Sequence, residues 1–438
     1  MLGLPKTATA PFCPSEVQGS VVMPRGLPTV AAFLKYAGPG LLISVGYMDP
    51  GNWATDIEAG SRYGYGLLFA VALASLAGIV QILSARLGIV TGRDLAQLCR
   101  DRYPLWIARA LWVFAEISIV ACDVAEVLGG ALALQLLFHL PLWMGILLTA
   151  LDTVLVLGLK GKGFRSLEAI VAGLVGTIAA AFALELFFVP PDVAAVARGL
   201  FPSARLLADP HAVYLAVGIL GATVMPHNLY LHSSVVQTRA FEGADGGKAR
   251  GVAFATADIA LSLVFALLIN GAILVVAGSA FHGRADDTAD ISQAYKLLQP
   301  IAGPAAALIF GVALLASGQS STFTGTIAGQ LILEGFLDLR IPCWQQRLLT
   351  RALAIVPALV GVLWLGDGAI GKLLVLSQVV LSLQLPFALY PLIRFTNSRE
   401  IMGGFASGLP TKAAAWALFA VITAANLWLL LKLVQGGG

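Results

Sequence analysis

The stretch Gly46-Tyr47-Met48-Asp49-Pro50-Gly51-Asn52-Trp53 is a turn sequence set inside an apolar run. Pro50 removes a backbone donor and clashes with the preceding turn, the glycines loosen the chain, and Asp49 and Asn52 prefer turns to helix interiors. The flanking residues, from about 30 to 62, otherwise read as a membrane-crossing helix. A second interruption, Gly221-Ala222-Thr223-Val224-Met225-Pro226-His227-Asn228, lies inside the run 212–238. Backbone left unpaired at membrane depth is tolerated only inside protein or beside a watery cavity. Taken singly, Asp-Pro-Gly-Asn is an ordinary turn, and a Met on an apolar helix is core filler. Two breaks together, one of them carrying an intramembrane carboxylate, outweigh that reading.

Composition supports a membrane setting. The 438 residues are 58% apolar and 12% charged, whereas soluble domains have roughly 25% charged residues. That excludes a cytosolic enzyme, and a net charge of +3 is too small to imply a nucleic-acid partner. Cys13, Cys99, Cys122 and Cys343 show no ligand or disulfide spacing. Residues 1–29 lack a compact apolar core of the signal-peptide kind and are expected to form a cytoplasmic N-terminal tail. Runs bounded by charge, Gly or Pro give eleven spans: 30–62, 66–90, 106–138, 141–159, 167–189, 212–238, 252–281, 301–336, 346–365, 369–395 and 413–434. With the N-terminus inside, twenty of the 27 Lys and Arg fall on the cytoplasmic side, and the C-terminus lies outside. Strict alternation of the β-barrel kind is absent, so the chain is an all-α membrane protein.

The breaks fall in spans one and six, the first helix of each set of five. This predicts two inverted five-helix repeats, 30–190 and 212–396, with an additional helix 413–434 and a binding site at the midplane. Asp49 offers a carboxylate, Asn52 an amide oxygen, the unwound carbonyls near Gly46 and Ala222 neutral oxygens, and Met225 a thioether. Mg²⁺ and Ca²⁺ prefer oxygen-only shells, while sulfur suits later transition metals. A mixed shell with one negative charge therefore suits Mn²⁺ and Fe²⁺. His227 stands two residues past Met225, and an imidazole ordinarily titrates near physiological pH. In span three, Glu116, Asp123 and Glu126 are spaced to share one helix face, an expensive stripe unless it lines a polar path. These three and Asp49 are the acids expected at membrane depth. Asp152, Glu185 and Asp258 read as structural or interfacial.

Asp49-Pro50-Gly51-Asn52 paired with Met225-Pro226-His227 resembles the Nramp (natural resistance-associated macrophage protein) family of proton-coupled divalent-metal transporters. The likeness extends to Leu83-Ser84-Ala85-Arg86-Leu87-Gly88, Ala316-Ser317-Gly318-Gln319-Ser320-Ser321-Thr322 and Ser377-Gln378-Val379. It implies a LeuT-like fold with broken helices 1 and 6, alternating access, and import of Mn²⁺ or Fe²⁺ with protons. It also implies metal ligands at Asp49, Asn52, Met225 and the Ala222 carbonyl, with the Gly46 carbonyl and Gln378 as further candidates. His227, Asp123 and Glu126 become the proton route, with Arg347 near its inner end. Relatives carry two adjacent Arg at the start of span nine where this chain has Gln346-Arg347, with Arg351 available as a substitute. The expected setting is an inner (plasma) membrane, with no permanently bound cofactor, no nucleic acid and no obligatory protein partner. Two rivals are a Na⁺-coupled small-solute symporter of the same fold and a membrane-embedded metalloenzyme. The first wants a helix N-terminus free for a substrate carboxylate. The second wants clustered His or Cys, whereas His227 and His232 alone lie near each other in the sequence.

Overall fold

The computed structural model describes residues 18–23, 29–76, 78–158, 164–241, 245–283, 291–338, 343–366, 368 and 370–434. Among them, eight helices are long and apolar enough to cross a membrane. A bent first segment and two shorter apolar helices complete the eleven expected positions. Span one comprises Pro39–Ser44 with the 3-10 turn Val45–Tyr47, then Pro50–Tyr63 beyond the break. Span two is Leu68–Leu76 and Gly78–Thr91, span three Leu105–Phe138, span four Leu142–Gly158 and span five Phe164–Phe188. Span six is Pro210–Val224 and Pro226–Val235, followed by span seven Asp245–Ala280 and span eight Pro304–Leu337. Spans nine, ten and eleven are Cys343–Leu365, Ile370–Asn397 and Leu409–Val434.

The packing has the internal symmetry that the repeated breaks imply. Exchanging each span with the one five places along turns the contact of span one with seven into that of six with two. Both contacts are present, as are the matched couples three–ten with eight–five, six–ten with one–five, and three–four with eight–nine. Spans three and eight, which exchange with each other, pack together at the centre. Large apolar side chains such as Phe187, Trp364 and Leu409 stay outward and exposed, as lipid-facing positions require.

Two features depart from expectation. The stretch expected to open span one holds a further bend: Thr29–Tyr36 is a separate helix turned 45° from Pro39–Tyr47. Gly38 makes the corner at φ 145°, where a β-carbon would lie 2.5 Å from the Glu168 carboxyl carbon. The second departure is in buried charge. Asp56, Glu168, Glu185 and Asp258 join Asp49, Asp123 and Glu126 in the interior, whereas Glu116 is half-buried. Two of the added acids serve the corner at Gly38. Asp258 accepts from the Gly38 and Gly40 amides at 3.3 and 2.6 Å, satisfying donors at the start of the helix. Glu168 pairs with Arg239 at 2.7 Å and with Arg165 at 2.9 Å. Arg239 also donates to the Tyr36 carbonyl at 2.8 Å. Beside this cluster Val21–Met23 pairs in parallel with Arg239–Phe241, a two-stranded addition to an otherwise helical chain.

Candidate metal centre

The two breaks meet. A β-carbon on Gly46 would lie 2.2 Å from Asn228 Nδ2 and 2.7 Å from Met225 Sδ, so only glycine lets the halves approach this closely. Gly51 faces Gln378 in the same way, at 2.0 Å from its Nε2, and Gly221 approaches the Gln378 carbonyl. Gly129 of span three leaves room for the Pro50 ring. Small residues thus draw four spans onto one point.

At the first break Asp49 is the N-cap of Pro50–Tyr63, its Oδ1 accepting from the Asn52 amide at 2.8 Å. Its Oδ2 is buried without a hydrogen-bond partner. The Asn52 side-chain nitrogen donates to Gly46 O at 2.9 Å, Asp49 Oδ1 at 2.5 Å and Ala222 O at 3.0 Å. An amide nitrogen has only two hydrogens. Three oxygens thus converge on a group that can satisfy only two of them at once. Asn52 Oδ1 itself accepts from Thr223 Oγ1 at 3.2 Å.

The carbonyls freed at this break are all accounted for. Gly46 O faces Asn52. Met48 O accepts from Trp53 Nε1 at 3.1 Å and from Ser317 Oγ of span eight at 2.5 Å. Tyr47 O meets the Asn270 amide of span seven at 3.0 Å in the amide orientation that satisfies its surroundings.

The second break is built differently. Met225 joins Pro210–Val224 to Pro226–Val235 at φ 39°, a left-handed conformation uncommon for a residue with a side chain, and no side chain caps the helix that follows. Its thioether receives the Asn228 amide at 3.7 Å, and that amide also reaches Ile43 O at 3.4 Å. Asp49, Asn52, Ala222, Met225 and Gln378 are all buried, and Gln378 Oε1 has no hydrogen-bond partner.

One turn beyond, His227 Nε2 lies 3.7 Å from Cys122 Sγ, which in turn lies 3.7 Å from Glu126 Oε1. Glu126 and Asp123 both face Gly325 of span eight, where a β-carbon would meet them at 2.7 and 3.1 Å. Arg351 donates to the Thr149 carbonyl at 2.9 Å, and its charge reaches both acids. Glu116 stands two turns away from Asp123 on the same helix, near its exposed end. Arg347 is helical, but its side chain lies outside the described residues, as do the side chains of Gln346 and Asp152.

The structure therefore brings Gly46, Asp49, Asn52, Ala222, Met225 and Gln378 to one centre, and His227, Asp123 and Glu126 to an adjoining polar track. It adds residues that the sequence reading left out: Thr223, Asn228, Cys122, Asn270 and Asp56. A signal existed for Asp56, which stands seven residues after Asp49 on one helix face. For Asn270, a lone amide in an apolar run, none did.

Comparisons with known proteins agree with this architecture. The sequence profile of the Natural resistance-associated macrophage protein-like family matches residues 40–432. The divalent metal cation transporter MntH of Ralstonia nicotianae is 61% identical over 99% of both chains. The crystal structure of the Eremococcus coleocola manganese transporter, in complex with an aromatic bis-isothiourea compound, superposes with TM-score 0.87 at 37% identity. It covers 94% of this chain and 89% of that one. MhsT in complex with L-phenylalanine, at 15% identity and TM-score 0.58 over 90% of this chain and 98% of its own, shares the fold. Profile and relatives span nearly the whole sequence, and the chain belongs to the Nramp family.

Proposed function

We propose that the chain is a proton-coupled symporter that imports divalent transition-metal ions, Mn²⁺ and Fe²⁺, by alternating access across an inner (plasma) membrane. The N-terminus is cytoplasmic and the C-terminus outside. Residues 30–190 and 212–396 act as the two inverted repeats. The observation that carries this reading is the convergence of Gly46 O, Asp49 Oδ1 and Ala222 O on one point with the Met225 thioether beside it. When metal enters, Asn52 turns its amide so that oxygen replaces nitrogen in the cradle, and Gln378 supplies a further oxygen. Asp49 brings the single negative charge of the shell. Among the described residues no group of three His, Cys, Asp or Glu side chains is placed to hold a metal. A shell built of carbonyls, amides and one carboxylate suits an ion that must leave again.

The centre itself is buried, and a cavity of about 500 Å³ lined by Ala54, Glu58, Arg62, His211 and Tyr214 lies at the end of spans one and six that the proposed topology faces outward. Toward the other end Gly88 of span two abuts the Ser233 carbonyl, and His232 Nδ1 meets Gln81 Oε1 at 3.2 Å. Ions arrive from outside, and opening of the inner halves releases them, aided by a membrane potential worth ~2.3 kcal/mol per charge per 100 mV. Protons pass by His227, Glu126 and Asp123 toward Glu116 and Arg347.

Both rivals lose ground on geometry. Asp49 occupies the N-terminus of Pro50–Tyr63 that a solute carboxylate would need, and His232 is turned to Gln81, away from His227's partner Cys122. The test is Mn²⁺ uptake by reconstituted vesicles with an internal pH indicator. The native chain takes up Mn²⁺ saturably and acidifies the lumen, and Asp49→Ala lowers uptake at least about a hundredfold. Undiminished uptake by the variant overturns the site, and uptake without acidification overturns the coupling.

A further inference from the structure

Asp56 is fully buried, seven residues after Asp49, and the metal shell does not use it. Its Oδ2 lies 2.6 Å from the Asn270 amide nitrogen, while its Oδ1 has no hydrogen-bond partner. The same Asn270 nitrogen donates to the Tyr47 carbonyl at 3.0 Å. In this orientation the amide oxygen faces Asn52 Oδ1 at 3.5 Å, which is no hydrogen bond. Asn270 therefore ties the two flanks of the first break through its nitrogen alone, Tyr47 before Asp49 and Asp56 after it.

We infer that Asp56 is a positioning residue for metal selection: through Asn270 it fixes the Tyr47 carbonyl, and with it the direction of the neighbouring Gly46 carbonyl and Asp49 carboxylate. The reason is the orientation of an amide. Without an acceptor at Asp56, Asn270 has one fewer reason to point its nitrogen, rather than its oxygen, at Tyr47 O. Turned the other way, two oxygens would oppose each other at 3.0 Å in a buried site, which costs free energy rather than gaining it. The peptide after Tyr47 would then shift to find another donor. Gly46 and Asp49 lie within two residues of it and would shift as well. Span seven, which supplies none of the assigned ligands, thus shapes the cradle from behind. The acid differs in purpose from Asp49: it never meets the metal, and its value lies in accepting a hydrogen bond, which a neutral amide oxygen also does.

This inference rests on the metal-transport reading, and the experiment separates the two. Mn²⁺ and Ca²⁺ uptake is measured over a range of concentrations in vesicles for the native chain, Asp56→Leu, Asp56→Asn, Asn270→Ala and the double variant Asp56→Leu/Asn270→Ala. Asp56→Leu is expected to raise the KM for Mn²⁺ about tenfold with little change in maximal rate, and to narrow the preference for Mn²⁺ over Ca²⁺. Asp56→Asn, which keeps an acceptor toward Asn270, should restore KM to within about threefold of native. The double variant should be no worse than the worse single one. An Asp56→Asn variant as impaired as Asp56→Leu, or additive effects in the double variant, overturns the positioning role. Should Asp56→Leu fail to fold, Asp56→Asn and Asn270→Ala decide it: near-native KM in the first with a raised KM in the second supports the clamp, and any other pairing refutes it. Absence of saturable Mn²⁺ uptake in the native chain would instead bring down the transport reading itself.

Discussion

The two breaks occupy matching places in the two halves, yet they are built from opposite materials. The first is polar and, apart from Asp49 Oδ2, tied: Asp49 caps its helix, and Gly46, Tyr47 and Met48 each have their carbonyl matched to a side-chain donor. The second has no side-chain cap, puts a methionine at φ 39°, and offers a carbonyl and a thioether. A charged, rigid wall therefore faces a neutral, soft one. In the proposed function the first break would attract a divalent ion of any kind, and the second would discriminate, because sulfur favours transition metals over Ca²⁺ and Mg²⁺. Placing strain at Met225 also puts the conformationally costly residue on the half that contributes no charge.

That contrast can be broken at its seam. Gly46→Ala would set a β-carbon inside contact distance of both Met225 and Asn228. Overpacking of this kind typically costs 1–3 kcal/mol, so calorimetric titration should show Mn²⁺ affinity lower by about tenfold or more. Native affinity in that variant would mean the walls do not touch as described. Met225→Ala probes the soft wall alone. Mn²⁺ uptake should persist while its preference over Ca²⁺ shrinks about tenfold, roughly 1.4 kcal/mol. An unchanged preference, measured by competition, would deny the thioether its role. The smallest effect is expected where the two walls meet the polar track. Cys122 bridges His227 and Glu126 through two long contacts. A neutral hydrogen bond is worth about 1 kcal/mol, so Cys122→Ala should leave Mn²⁺ affinity within about twofold and slow metal-driven acidification about threefold. A large loss of affinity would place the thiol in the metal shell instead.

Much of this architecture could be read from the chain because its determinants are local. An apolar run, a proline beside an Asp or a Met, and the bias of Lys and Arg to one side need no knowledge of neighbours. The residues gathered at the centre were legible for the same reason, since all but Gln378 lie inside the breaks. What escaped was set by partners more than a hundred residues distant. Asp258 was read as structural or interfacial, but the Gly38 and Gly40 amides it serves lie 220 and 218 positions earlier. The corner at Gly38 depended on a glutamate that sequence reading left among the span-five residues. Cys122 was assigned no chemistry, because a lone thiol acquires a role only from the His227 and Glu126 beside it. Asp56 had the spacing to be noticed, but its partner Asn270 carries no pattern of its own.

The side-chain nitrogen of Asn52, encircled by three oxygens, bears on the half of the cycle in which nothing is carried. A carrier that works in one direction must return empty, and its vacated cage is then a set of acceptors facing one another in a dry interior. Each buried acceptor left unmatched costs roughly 1–3 kcal/mol. By swinging its amide, Asn52 offers hydrogens to Gly46 O, Asp49 Oδ1 and Ala222 O in the metal's stead. In the proposed cycle one residue would thus be ligand on the loaded leg and stopper on the unloaded one. The ease of that rotation bears on whether the transporter completes net turnovers or merely exchanges one ion for another.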